Sequence, residues 1–195
     1  MMRKLPKRIL LTDSIRLPDP RDAIQSLPPQ SAVIFRHYED PDRANLAQKL
    51  MAICKSKKIP LLIAGDVRLA TKINADGLHL PENLLTVNVM RWLAWKHPNK
   101  ILSVSAHSPK ALFKAAEASA SFALLSPVFP TQSHPNTKVI GIHRFASWVA
   151  CSPIPVFALG GIAKKNATRI LYTGAVGWAA IEGLSNNKEQ KTNKL

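Results

Sequence analysis

PVFALGGIAKKNATRILYTGAVGWAAIEGL, residues 155–184, is the stretch on which the fold turns. A short apolar run, Val156 to Leu159, halts at Gly160-Gly161. Helical spacing then runs from Ile162 to Thr173, with Ile162, Ala167, Ile170 and Leu171 predicted on one face and Lys164, Lys165 and Arg169 on the other. Gly174 closes that helix, and a second apolar run follows from Ala175 to Ile181. Strand, helix and strand within about thirty residues make a βαβ unit, which requires a parallel sheet buried on both faces. The glycine pair sits where strand gives way to helix. Glycine there lets the backbone come close to a ligand, and the free amides of a helix N-terminus favour an anion. A Gly-Gly pair by itself is more often a tight turn than a phosphate site. The argument for a site is that the rest of the chain repeats the unit.

Upstream, strands are predicted at Ile9–Thr12, Ala32–Phe35, Pro60–Ala64, Gly77–Leu80, Ile101–Ser105 and Phe122–Leu125. Between them fall helices at about Arg21–Ser26, Pro41–Lys57, Val67–Ile73, Asn83–Lys96, Pro109–Ala118 and His143–Ala150. Asp40 or Asp42 is a candidate cap for the long second helix, whose apolar stripe holds Leu46, Leu50, Ile53 and Cys54. The fourth carries Trp92 and Trp95, and Ser108 caps the fifth. Eight apolar strands alternating with helices define an α/β fold with every strand parallel. Closure into a small TIM (β/α)8 barrel is expected, with an open doubly wound sheet as the alternative.

After the eighth strand, residues 185–195 read SNNKEQKTNKL and show no apolar period. They are expected to form a disordered polar tail. Residues 1–184 are then one barrel domain whose last helix is missing or truncated. The eighth strand and Trp178 should be covered by the N-terminal segment or by a partner chain in a homo-oligomer.

The composition narrows the function. The chain has 195 residues, 46% of them hydrophobic, and no apolar run approaches the roughly 20 residues that span a bilayer. The opening MMRKLPKRIL is basic but leads into a short strand, so no signal peptide is expected. Cys54 and Cys151 fit no metal-ligand spacing and read as reduced thiols of a cytoplasmic protein. The net charge of +15, from 27 Lys and Arg against 12 Asp and Glu, favours anionic partners. Its cations are dispersed over helix faces and termini with no interleaved aromatics, which disfavours nucleic acid and reads equally as solvated helix faces.

In such a barrel the site lies at the C-terminal ends of the strands. There the sequence puts Asp13, Arg36 with His37, Asp66, Glu82, His107, Ser126, Thr131, Ser133, Gly160, Gly161 and Glu182. Asp13 reads equally as a turn cap and Asp66 as a helix N-cap, and His79, inside a strand, as a hydrogen-bonded core histidine. Arg36 is harder to dismiss, because a guanidinium at a strand end is a natural bidentate partner for phosphate. The loop Phe129–Ser133, pinned by prolines, offers hydroxyls and amides opposite the glycine pair.

These residues carry a resemblance. LLTDS, INADGLHLPE, SVSAHS, LLSPVFPTQS, PVFALGGIAKKNA and TGAVGWAAIEG occur in the order in which the thiamine phosphate synthase family, which includes the thiazole tautomerases, has similar phrases. The likeness spans residues 9–184 and is strongest from Ser103 to Ile181. It implies a TIM barrel and the coupling of hydroxymethylpyrimidine diphosphate to a thiazole phosphate, with Mg²⁺ as cofactor. It also implies that Thr131, Ser133, Gly160, Gly161, Ala179 and Ala180 hold the thiazole phosphate, and that Arg36, His134 and Lys138 contact the diphosphate. Departures fall in the pyrimidine half. Ile34 and Tyr38 replace the family's glutamine and lysine beside Arg36, and Ala64-Gly65-Asp66 replaces its Asn-Asp-Arg. The second acidic ligand falls near Leu84, and His134 stands for a lysine. Asp66 and Glu82 are the remaining candidates for the metal. A tautomerase-like activity would instead use His107 or His134 for proton transfer. A non-catalytic phosphate-ligand or nucleic-acid binder is the third reading.

Overall fold

A computed structural model of the chain describes residues 5–85, 100–131 and 137–184. Eight parallel strands pair in sequence order and close, the last onto the first. They are β1 (Arg8–Leu11), β2 (Ser31–Phe35), β3 (Leu61–Ala64), β4 (Gly77–Leu80), β5 (Ile101–Ala106), β6 (Phe122–Leu125), β7 (Val156–Ala158) and β8 (Gly177–Ala180). Helices α1 (Arg21–Gln25), α2 (Arg43–Ser56), α3 (Val67–Lys72), α4 (Pro109–Glu117), α5 (Ile142–Ala150) and α6 (Lys164–Ala167) lie between them. The expected TIM barrel is therefore the observed fold. Its closure is fixed by the pairs Ile9↔Ala179 and Ile9↔Ala32 on the two sides of β1.

The near-continuous apolar runs are explained by burial on both faces of the sheet. Alternate residues Ile9, Leu11, Ala32, Ile34, Leu62, Ala64, Phe122, Leu124 and Phe157 form the barrel interior. Their neighbours Leu10, Val33, Phe35, Leu61, Ile63 and Leu102 pack outward with Ala47, Leu50, Met51 and Cys54 of α2. Inside, the rings of Phe122 and Phe157 lie 4.8 Å apart at 54°, the tilted arrangement aromatic quadrupoles favour.

Local chemistry sets the element ends. Asp66 caps α3 by accepting from the Leu69 amide at 2.9 Å, and Ser108 caps α4 by accepting from Ala111 at 3.2 Å. Asp42 precedes α2 but caps no amide there; one of its oxygens accepts from Asn45 Nδ2 instead. The helix predicted from Ile162 to Thr173 is one α turn, α6, followed by a 3₁₀ turn at Thr168–Tyr172. Three residues per turn keep Ile162 and Ile170 buried but rotate Leu171 outward, to 71% exposure, so Leu171 is not on the apolar face. Trp178 is half-buried against the cluster that holds Phe145 and Val156. No helix among the described residues is long and apolar enough to cross a membrane. Beyond a 3₁₀ turn at Glu82–Leu84, the predicted fourth helix with Trp92 and Trp95 lies outside the described residues, as does the polar tail.

Candidate active site

A cavity of about 600 Å³ opens at the C-terminal ends of the strands. Its wall takes Arg16 and Arg36 from the β1 and β2 side and Ser105, His107 and Ser126 from β5 and β6. The loops after β6, β7 and β8 supply Thr131, Thr137, Gly160, Gly161 and Gly183, and the end of β8 supplies Ala179 and Ala180.

On the β1–β2 side, Asp13 organises the turn. Its Oδ1 accepts from the amides of Ile15 and Arg16 at 3.2 and 3.0 Å, and its carbonyl accepts from Leu17. Its Oδ2 accepts from two guanidinium groups, Arg16 Nη2 at 2.9 Å and Arg36 Nη2 at 3.1 Å. Burial alone would raise the Asp13 carboxyl, but the hydrogen bonds and charge of Arg16 outweigh it and hold it at about 2. Arg36 also donates Nε to the Thr12 carbonyl at 2.9 Å. Burial lowers its affinity for a proton, with Asp13 opposing that loss. Thr12 Oγ1 accepts from the Arg36 amide, so its hydroxyl proton goes to His37 Nδ1 at 2.9 Å. His37 Nε2 then donates to the Pro18 carbonyl at 3.1 Å. This buried chain locks the backbone from which Arg36 reaches the cavity.

On the β4–β5 side, His79 sits between Ser103 Oγ at 2.9 Å and Ser105 Oγ at 3.0 Å. Burial, aided by the nearby Arg36 charge, lowers it to about 3. It is the satisfied core histidine the sequence suggested. His107 is exposed at the cavity wall. Its Nδ1 lies 2.9 Å from the Ser126 carbonyl, which can only accept, so Nδ1 carries the proton and Nε2 of the neutral ring is left as an acceptor.

The β6–β8 side is built by close backbone approach. Val128 and Phe129 amides donate to the carbonyls of Leu159 and Gly160 at 2.9 and 3.1 Å, continuing the sheet past its strands. Gly161 has φ +64°, and a Cβ on it would lie 2.2 Å from the Pro130 carbonyl. A Cβ on Gly183 would lie 2.5 Å from the Ile162 carbonyl. Asn166 clasps the turn, donating to the Gly161 carbonyl at 2.8 Å and accepting from the Ala163 amide at 2.9 Å. Arg169 lies over the Phe129 ring at 5.3 Å and joins the two loops again. The glycine pair thus serves loop-to-loop packing first, with the resulting backbone surface facing the cavity.

Of the residues singled out in the sequence, Arg36, His107, Ser126, Thr131, Gly160, Gly161, Ala179, Ala180 and Glu182 come together around the cavity. Lys138 is exposed and does not line it. Ser133 and His134 lie outside the described residues. Asp66 and Glu82, the metal candidates, are placed elsewhere. Asp66 Oδ1 caps α3 and Oδ2 accepts from Arg43 Nη1 at 3.0 Å, while Glu82 Oε2 accepts from the His107 amide at 2.9 Å. No cluster of three or more His, Cys, Asp or Glu that could hold a metal ion occurs among the described residues. Sequence reasoning missed Arg16, Ser105, Thr137 and Gly183. The signals for Arg16 and Ser105 were there, in the i, i+3 pair Asp13 and Arg16 and in the alternation of Ser103 and Ser105 on one face of a strand.

A closed parallel barrel with its cavity at the C-terminal rim defines a TIM-barrel protein built where enzymes of this fold carry their active sites. This chain belongs to the thiamine monophosphate synthase family, whose sequence profile matches residues 22–184. It is 36% identical over 146 residues to a provisionally named thiamine-phosphate synthase 2 of Aquifex aeolicus (strain VF5), covering 75% of this chain and 77% of that one. It is 31% identical over 154 residues to the thiamine-phosphate synthase of Geobacillus kaustophilus (strain HTA426), covering 77% and 67%. A solved thiamine phosphate pyrophosphorylase from Pyrococcus furiosus superposes with a TM-score of 0.75 at 26% identity, covering 90% of this chain and 85% of that one.

Proposed function

We propose that this chain is a cytoplasmic thiamine-phosphate synthase, a transferase joining hydroxymethylpyrimidine diphosphate to a thiazole phosphate. The observation that carries the reading is one cavity with a guanidinium wall at β1–β2 and a backbone cradle at β6–β8. In the reaction the thiazole ring nitrogen attacks the exocyclic methylene of the pyrimidine. A C–N bond forms, the C–O bond to diphosphate breaks, and the leaving group departs with the bonding pair. Arg36 stabilises that developing charge from a position already fixed by Thr12 and Asp13, so little reorganisation is needed at the moment of reaction. Thr131, Ser133, Gly160, Gly161, Ala179 and Ala180 hold the thiazole phosphate chiefly through backbone amides. His134 and Lys138 are the further diphosphate contacts that the family resemblance implies.

Mg²⁺ is the cofactor expected from the family, but the two acidic residues named for it, Asp66 and Glu82, do not fit it, and Glu182 is the acidic residue of the cavity lining among the described residues. Both carboxylate oxygens of Asp66 are already committed, to a helix amide and to Arg43, and neither Asp66 nor Glu82 lines the cavity. The chemistry above therefore uses the chain's own cations. Separate calorimetric titrations with thiazole phosphate and pyrimidine diphosphate, followed by coupled turnover with and without Mg²⁺, test the proposal. Failure of both ligands to bind sinks it.

A tautomerase-like isomerase is a second reading, favoured by His107, whose tautomer leaves Nε2 as a proton acceptor at the cavity wall. Turnover of a thiazole phosphate with no pyrimidine present distinguishes it from the synthase.

A further inference from the structure

We infer that Arg16 is a second anion-binding residue of this site, forming with Arg36 and Asp13 a two-guanidinium clamp that takes the substrate diphosphate in place of a carboxylate-held metal ion. The identity of the substrate rests on the synthase reading; the clamp itself rests on geometry.

Arg16 and Arg36 both line the large cavity, and their side chains are 23% and 26% exposed. Both donate to the same oxygen, Asp13 Oδ2. Two cations brought to one carboxylate leave an excess positive charge on this side of the cavity, while Glu182, which also lines it, lies on the β8 side. That arrangement is costly by itself and is relieved by an anion. The hydrogen-bonding capacity is also unfilled, since Arg16 Nε and Nη1 and Arg36 Nη1 have no partner among the described residues. Guanidinium forks match paired phosphate oxygens, and two forks side by side match the two phosphoryl groups of a diphosphate better than a single monophosphate.

A purely structural role for Arg16 explains less. The turn is already closed by Leu17 donating to the Asp13 carbonyl and by two amides on Asp13 Oδ1, none of which needs the guanidinium. The clamp also fills the place left by the departures from the family pattern. Tyr38 stands where the family's lysine would, and its phenol is half-exposed beside Arg43 rather than cationic. Asp66 is bound up with Arg43.

The test is calorimetric titration of inorganic pyrophosphate, and separately of thiazole phosphate, into wild type, Arg16→Gln and Arg16→Lys. The pyrophosphate titrations are run both in EDTA and with Mg²⁺. Wild type should bind pyrophosphate in EDTA within about threefold of its affinity with Mg²⁺. Arg16→Gln, which keeps a donor for Asp13 but loses the charge, should weaken pyrophosphate about tenfold or more and leave thiazole phosphate within about twofold. Arg16→Lys retains the ion pair and should still lose about threefold, because a point charge replaces a fork. Undiminished pyrophosphate affinity in both variants overturns the clamp, and so does binding that disappears in EDTA. Failure of the clamp with wild-type turnover intact leaves the synthase reading standing. Pyrophosphate binding without any for thiazole phosphate would do the reverse.

Discussion

His79 and Ser105 are hydrogen bonded at 3.0 Å between neighbouring strands, joining the barrel interior to the cavity wall. Ser103 holds the other ring nitrogen, so both nitrogens of the buried ring are partnered by hydroxyls. Its proton affinity is lowered from 6.5 to about 3, mainly by burial. The unfolded chain therefore binds a proton that the folded chain refuses between those two values. His79 makes no pH-dependent contribution above about 6.5, and stability should fall as pH drops from there toward 3, at up to about 1.4 kcal/mol per pH unit from this residue. Urea unfolding at several pH values measures the slope. His79→Gln should flatten it, and an unchanged slope would show that another group dominates.

Gly161 to Val tests the loop packing. The added Cβ would meet the Pro130 carbonyl at 2.2 Å with φ at +64°, so the β6 and β7 loops must part. Thiazole phosphate binding should fall by at least about a hundredfold, while pyrophosphate affinity changes less than about threefold. The barrel itself should survive, because Gly161 lies beyond β7. Calorimetry with each anion, beside a far-ultraviolet circular dichroism spectrum, checks this.

His107 separates the two enzyme readings. Removing its ring by His107→Ala takes away an acceptor at the cavity wall but none of the cations. Synthase turnover should drop less than about tenfold, whereas any tautomerase turnover should drop at least about a hundredfold, the usual range for a lost general base. Rates for both reactions on the same preparation decide the matter.

The strands were legible because both faces are buried, so continuous apolar runs such as Leu61–Ala64 and Phe122–Leu125 could not belong to a solvated sheet. The caps Asp66 and Ser108 were legible for the same local reason, a short polar side chain three residues before an orphan amide. What stayed hidden depends on winding and on long-range partners. Leu171 left the predicted face because 3₁₀ and α turns differ in period, and Asp66 is paired with Arg43, 23 residues away, a contact that no local pattern announces. Arg36 was readable at a strand end, but Arg16 acquires its place only through Asp13.

The two halves of the cavity should respond separately to mutation. Arg36 holds its position through the Thr12 carbonyl and Asp13, on the β1–β2 side, and touches no residue of the β6–β8 cradle in the contacts described. Arg36→Ala removes one of the two guanidinium groups and leaves Asp13 paired with Arg16, which cancels the excess positive charge at the rim. Pyrophosphate affinity should therefore fall about tenfold or more, and pyrimidine diphosphate with it. Backbone amides of the proposed cradle do not depend on that charge, so thiazole phosphate should stay within about twofold. The shared carboxylate also makes the two arginines non-additive. With both gone, Asp13 is left an unpaired anion at the rim, so Arg16→Gln combined with Arg36→Ala should lose at least the sum of the single losses in free energy. Titration of the wild type, both single variants and the double variant measures this coupling. Loss of thiazole phosphate binding in Arg36→Ala, with Gly161→Val sparing it, would reverse the assignment of the two halves.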